Sequence, residues 1–341
     1  MSHPHAARPD ALPARPRGAR RRVWVLPLLA AVLSGAFALA LSLGSVPVSA
    51  RELWTLATGG DAGLAGQVVL SLRLPRALAA ASCGGLLAVA GALMQVLLRN
   101  PLADPYVLGI SGGAAVGALL AMLAGVTSAL LELSAFAGAL AAMALVFGLA
   151  HGEGSRTPTR LLLTGVIVSA GCGAAVSFIL AVASEQSLRG MLFWLMGDAS
   201  TASRPAVAVG ALVAGMVACA PLARDLNLLT RGDVTAQTLG VSVARLRLTV
   251  YVLASALTAI AVTTVGSVGF VGLVVPHLVR LALGNDQRLL LPASALAGAA
   301  LLLLADTAAR TVIAPAQLPV GVLTALLGVP VFLFLLQRNG R

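Results

Sequence analysis

Twelve carboxylates, four histidines and three cysteines are the groups in this 341-residue sequence that could hold a metal, attack an electrophile or move a proton. The histidines are His3, His5, His151 and His277, and none stands in HExxH or another zinc spacing with a carboxylate. A core or interfacial place is expected for His277. Cys83, Cys172 and Cys219 fall in apolar runs, where a free thiol packs as a small apolar residue and implies no disulfide framework. Lysine is absent from the whole sequence. A Walker A loop sets its lysine on the nucleotide phosphates and a Schiff base needs a lysine amine, so both chemistries are excluded for this chain. GISGGAAVG, Gly109 to Gly117, resembles a dinucleotide loop in glycine content, but no βαβ unit flanks it. Gly109, Gly113 and Gly117 recur at every fourth position, the ladder that lets membrane helices pack closely. No paired carboxylates or nucleophile with a base appear on facing segments, so the chain is expected to be no enzyme and to need no cofactor.

The elements that must carry these residues are membrane helices. Hydrophobic residues make up 59% of the chain and charged ones 10%, outside the usage of soluble domains. A hydrocarbon layer roughly 30 Å thick takes about 20 apolar residues per helical pass. That ruler finds Val23 to Leu43, Ala77 to Leu98, Tyr106 to Leu123, Leu133 to Ala150, Leu161 to Ser184, Pro205 to Ala223, Leu248 to Val279, Leu289 to Ala305 and Leu318 to Leu336. Leu248 to Val279 is 32 residues, too long for one pass, and Gly266, Gly269 and Gly272 offer a place to turn back. Ten helices result. Val23 to Leu43, at 21 residues, exceeds a signal-peptide core, so the first helix is expected to be retained despite the small residues Val48, Ser49 and Ala50 behind it. Residues 1–22, rich in Pro, Arg and Ala, read as a disordered basic cytoplasmic tail, and 23–338 as one transmembrane domain.

Charge placement tests the count. With both termini cytoplasmic, 17 of the 23 arginines lie inside, and only Arg51, Arg73, Arg76, Arg189, Arg204 and Arg310 lie outside, as the positive-inside rule requires. The net charge of +11 is thus a topology signal. With no soluble domain to carry it, a nucleic-acid partner is not expected.

Five ordered blocks make the reading specific: RLPR; MQVLLRNPLADPYVLGISGGAAVG; GFVGLVVPHLVRL; LLLPASALAGAALLLLADTAAR; and QLPVGVLTALLGVPVFLFLL. They resemble the FecCD-type permeases of bacterial ABC importers for iron chelates, haem and cobalamin, over roughly residues 23 to 338. The resemblance implies an all-α, polytopic protein of the type II ABC importer permease fold in the bacterial cytoplasmic (inner) membrane. It implies a homodimer with the path along its interface, two ATP-binding cassette ATPase subunits on the cytoplasmic side, and a periplasmic or lipid-anchored substrate-binding protein. A permease for free zinc or manganese is the nearest alternative. An ion-coupled secondary transporter is weaker, because ionisable residues are almost absent away from the helix ends.

The resemblance also places sites. Arg73 and Arg76 in RLPR, with Arg310 after LLLLAD, match positions that dock the binding protein; interfacial snorkelling is the plain alternative. Within the cytoplasmic connection Pro221 to Arg247, GDVTAQTLGVS resembles the segment coupling permease to ATPase. There Asp233 is expected as a helix N-cap, Thr235, Ala236 and Leu239 lie in a short helix, and Gly240 ends it. Thr157, Pro158 and Thr159 are candidates for a cytoplasmic gate, or for an ordinary turn and helix start. NPLADP reads as a proline-bracketed turn, Asp306 and Arg310 as an i, i+4 ion pair, and Trp194 as part of a short re-entrant or interfacial helix.

Overall fold

A computed structural model of the chain describes residues 24–44, 46–126, 129–150 and 158–339. The expected tail, 1–22, and Thr157 lie outside them. In chain order the main helices are α1 (Val25–Ser42), α2 (Ala50–Ala57), α3 (Gly63–Leu97), α4 (Ile110–Leu123), α5 (Ala129–Ala150), α6 (Pro158–Val182), α7 (Glu185–Met196), α8 (Pro205–Leu229), α9 (Asp233–Thr238), α10 (Val243–Val265), α11 (Val271–Leu283), α12 (Gln287–Ala309) and α13 (Val320–Asn339). Among the described residues seven of these, α1, α3, α5, α6, α8, α10 and α12, are long and apolar enough to cross a membrane. Three shorter apolar helices, α4, α11 and α13, complete the expected passes in the expected order.

The bundle is built around α3. Its most apolar stretch is 94% buried, against 11% for α1, because Ala and Gly let neighbours approach on every side. A Cβ on Gly84 would lie 2.2 Å from the Gly298 carbonyl of α12, and one on Gly91 only 1.8 Å from the Gly272 carbonyl of α11. The helix begins at Gly63, well before the expected Ala77, since Arg73 and Arg76 end the apolar run without ending the backbone ladder. Pro75 lacks an N–H and crowds the carbonyl four residues back; a π turn over Val69–Arg73 absorbs this, with Leu74 N–H reaching Val69 O.

The glycine ladder works as expected at two of its three rungs. Gly113 faces Gly138, and Gly117 faces the Ser134 carbonyl, joining α4 to α5, whereas Gly109 supplies the left-handed turn (φ +77°) that opens α4. The 32-residue run does break at Gly266, which has φ +72° and no room for a Cβ, since one there would lie 2.3 Å from the Trp194 carbonyl. Trp194 itself is buried, so one face of α7 packs into the bundle while Leu192 and Met196 stay exposed. The Tyr106 hydroxyl pins this break by donating to Val268 O (2.9 Å) and accepting from Val268 N–H (3.0 Å). NPLADP forms the expected turn, with Asn100 Oδ1 accepting from Leu102 N–H at 2.9 Å and Asp104 Oδ1 from Tyr106 N–H at 2.8 Å. Finally, α8 continues through Pro221 to Leu229, nine residues of the expected 221–247 loop, because Arg224, Asp225 and Asn227 end the hydropathy and not the helix.

Candidate functional site

The two ends of α3 carry the two polar sites. At its first end, α1 stops at Ser42 and leaves carbonyls without helical partners, which is costly beside an apolar phase. Arg73 donates to Leu41 O (2.6 Å), to Ser42 O (3.0 Å) and to Val46 O, while Arg310 donates to Leu43 O (2.8 Å) and Ala40 O. Gly44 sits between them: a Cβ there would lie 2.6 Å from Arg73 Nη2 and 3.3 Å from Arg310 Nη1. Arg76 grips Asp306 bidentately, Nε to Oδ2 and Nη2 to Oδ1 both at 2.9 Å, and reaches Gln317 Oε1 at 3.0 Å. The structure therefore gathers all three expected arginines into one cluster. It corrects the expected Asp306 and Arg310 ion pair, because the Arg310 guanidinium is spent on the end of α1 and Asp306 turns to Arg76. Burial pulls Arg310 below its ordinary pKa, Asp306 opposes this, and Arg76 and Arg73 add to it. Arg73 is only 6% exposed, so it faces the fold more than any partner.

At the other end, α9 forms a compact knob. Its N-cap is Gly232 (φ +120°), not Asp233 as expected; the Asp233 carboxylate instead accepts from Arg247 at 2.9 and 3.0 Å and pairs with Arg99. Arg99 reaches it from a left-handed residue (φ +49°) just past the end of α3. The C-terminus closes as expected at Gly240 (φ +85°), with Val241 N–H to Ala236 O at 2.9 Å and Gly240 N–H to Gln237 O at 3.0 Å, the Schellman pattern. Thr235 and Leu239 are exposed, Leu239 at 55% and its neighbour Val234 at 75%, but Ala236 is fully buried. Two apolar side chains thus project from a rigid turn whose middle residue belongs to the core. Pro158 opens α6 and Thr159 follows it; their side chains lie outside the described residues. No group of three or more His, Cys, Asp or Glu able to hold a metal forms among the described residues.

The model of the FecCD transport family matches residues 31–338. This chain belongs to that family. It is 44% identical over 307 residues to the hemin transport system permease HmuU of Yersinia pestis, spanning 87% of this chain and 90% of the relative. To the vitamin B12 import permease BtuC of Serratia proteamaculans it is 40% identical over 323 residues, spanning 94% of this chain and 93% of the relative. Among solved structures, an inward-facing metal-chelate type ABC transporter superposes with TM-score 0.81 at 32% identity, covering 93% of this chain and 99% of that one. The FecCD chain is therefore a multi-pass membrane transport permease, and the type II fold expected from its motifs is present. Sequence reasoning missed the Arg99 and Arg247 clasp on Asp233 and the whole of α2. For α2 a signal existed: Ser49-x-x-Glu52 is a capping-box spacing.

Proposed function

We propose that this chain is the permease subunit of a binding-protein-dependent ABC importer that moves a metal chelate, a ferric siderophore, haem or cobalamin, into the cytoplasm. The observation that carries this is the knob: α9 is clasped by Asp233 to Arg99 at the end of the central helix, so a push on Val234 and Leu239 is delivered to α3. Two ATPase subunits would dock there, placing this end and both termini on the cytoplasmic side. The opposite end, where Arg73, Arg76 and Arg310 cluster and Asp306 pairs with Arg76, would receive the binding protein, with Arg76 and Arg310 nearer its surface and Arg73 holding α1 in place. Two copies would pair through the sparsely covered faces of α6 and α13, lining the path, with Thr157, Pro158 and Thr159 at its cytoplasmic mouth.

Proteoliposomes holding permease and ATPase, supplied with loaded binding protein, test this reading. Uptake with ATP in the presence of an uncoupler is expected for haem, cobalamin or a ferric siderophore. Uptake driven by a pH gradient without ATP would overturn it.

A further inference from the structure

The linker between α1 and the body of α3 is built as a rigid cap. Ser49 and Glu52 form a reciprocal capping box, Ser49 N–H to Glu52 Oε2 at 2.7 Å and Glu52 N–H to Ser49 Oγ at 3.3 Å. At the other end of α2, Gly60 N–H bonds Thr55 O at 2.8 Å, and Asp61 Oδ1 accepts from Gly63 N–H at 2.7 Å to launch α3. One side of α2 is seated: Leu53 and Leu56 pack with Leu41 on a small core of Val48, Ala65 and Val69. Its other side is not. Trp54 is 71% exposed, and Leu64, Leu70 and Leu72 on the first turns of α3 are also exposed.

We infer that α2 and the first turns of α3 lie on the phospholipid surface, with the Trp54 indole at the boundary of headgroups and acyl chains. The argument for lipid as the occupant is continuity. Below the cap, α1 exposes Leu28, Val32, Leu39 and Leu43, the lipid-facing belt of a helix that is almost uncovered by protein, and this belt ends at Leu43, a few residues before Ser49. Arg73 and Arg310 bind the α1 carbonyls at that height, which fixes the edge of the apolar layer just where the cap begins. An indole has an apolar body and one N–H donor, and such a side chain is best placed where one end is dry and the other wet. Arg51, three residues before Trp54, is exposed and in no ion pair among the described residues, so it can meet a phosphate while the ring inserts about 5–10 Å. The inference is independent of what the permease carries. It makes the cap an anchor that holds the end of α3 at a set depth.

The test uses the full-length permease in liposomes, with Trp54→Phe as the reference, so that the difference in emission reports Trp54 against the constant background of Trp24 and Trp194. Lipids brominated near the headgroup end of the acyl chain should remove most of the Trp54 component, lipids brominated near the chain terminus should remove less, and aqueous iodide should leave most of it. A Trp54 component open to iodide and untouched by either bromolipid would overturn the inference, as would iodide access lost only when a soluble binding protein is added. If Trp54→Phe is poorly made, a nitroxide on Leu64→Cys in a Cys172→Ser background gives a second reading: preferential collision with oxygen supports the inference, and preferential collision with a water-soluble nickel chelate refutes it.

Discussion

Removing Arg76 separates the structural from the docking role of the arginine cluster. The Asp306 side chain is only 2% exposed and that of Arg76 14%, so solvent screens the pair weakly. Arg76→Met leaves the carboxylate buried with neither of its bidentate bonds, and breaking one partner of such a pair costs about 3–5 kcal/mol. Because Arg76 keeps some solvent contact and Arg310 lies close enough to feel Asp306, the lower end, about 3 kcal/mol, is expected. The double variant Arg76→Met with Asp306→Leu removes both charges together, and such replacements are neutral or stabilising. Thermal unfolding of the purified permease should therefore drop by several degrees for Arg76→Met and recover in the double variant. Binding of the substrate-binding protein should stay weak in both, since the proposed docking charge is gone from each. An Arg76→Met protein that melts like the parent would refute the structural half of this reasoning, and a double variant that docks normally would refute the other half.

At the knob, Val234→Asp and Leu239→Asp should leave thermal stability near the parent and abolish co-purification with the ATPase, whereas Ala236→Asp should lower the yield of folded protein, because it buries a charge in the core. Folded Ala236→Asp protein with parental stability would show that the knob is not seated as described. Gly91→Ala places a methyl 1.8 Å from the Gly272 carbonyl, a contact that only a shift of α11 against α3 can relieve; a loss of about 1–3 kcal/mol or more is expected in unfolding experiments. The Ser49 hydroxyl and N–H hold Glu52 below the usual carboxylate range, so its contribution to α2 is present above the unfolded carboxyl pKa and is lost as pH falls through the lower folded value. Amide exchange at Glu52 should thus accelerate in acid and stay unchanged between neutral and mildly alkaline pH once the intrinsic exchange rate is divided out, and Ser49→Ala should remove that dependence.

Local chemistry made much of this protein legible from its residues alone. Apolar runs of membrane length, the break at Gly266, the stop at Gly240 and the packing of Gly113 and Gly117 each depend on a few neighbouring residues, and each reads correctly from them. The family blocks added the transport role, which no single residue type declares. What the tertiary structure decided is polar partnership and depth. Asp306 has Arg310 four residues away and Arg76 at a separation of 230, and it takes the distant one because the end of α1 claims Arg310 first. Asp233 looks like a cap until α3 and α10 bring Arg99 and Arg247 to it. Ala236 looks like any residue of a solvated knob until packing against the bundle buries it. In each case the outcome turns on which helix ends meet and which carbonyls or charges they leave unsatisfied. That competition is settled only when the whole bundle closes, since a buried polar group takes whichever partner the fold brings within hydrogen-bond reach.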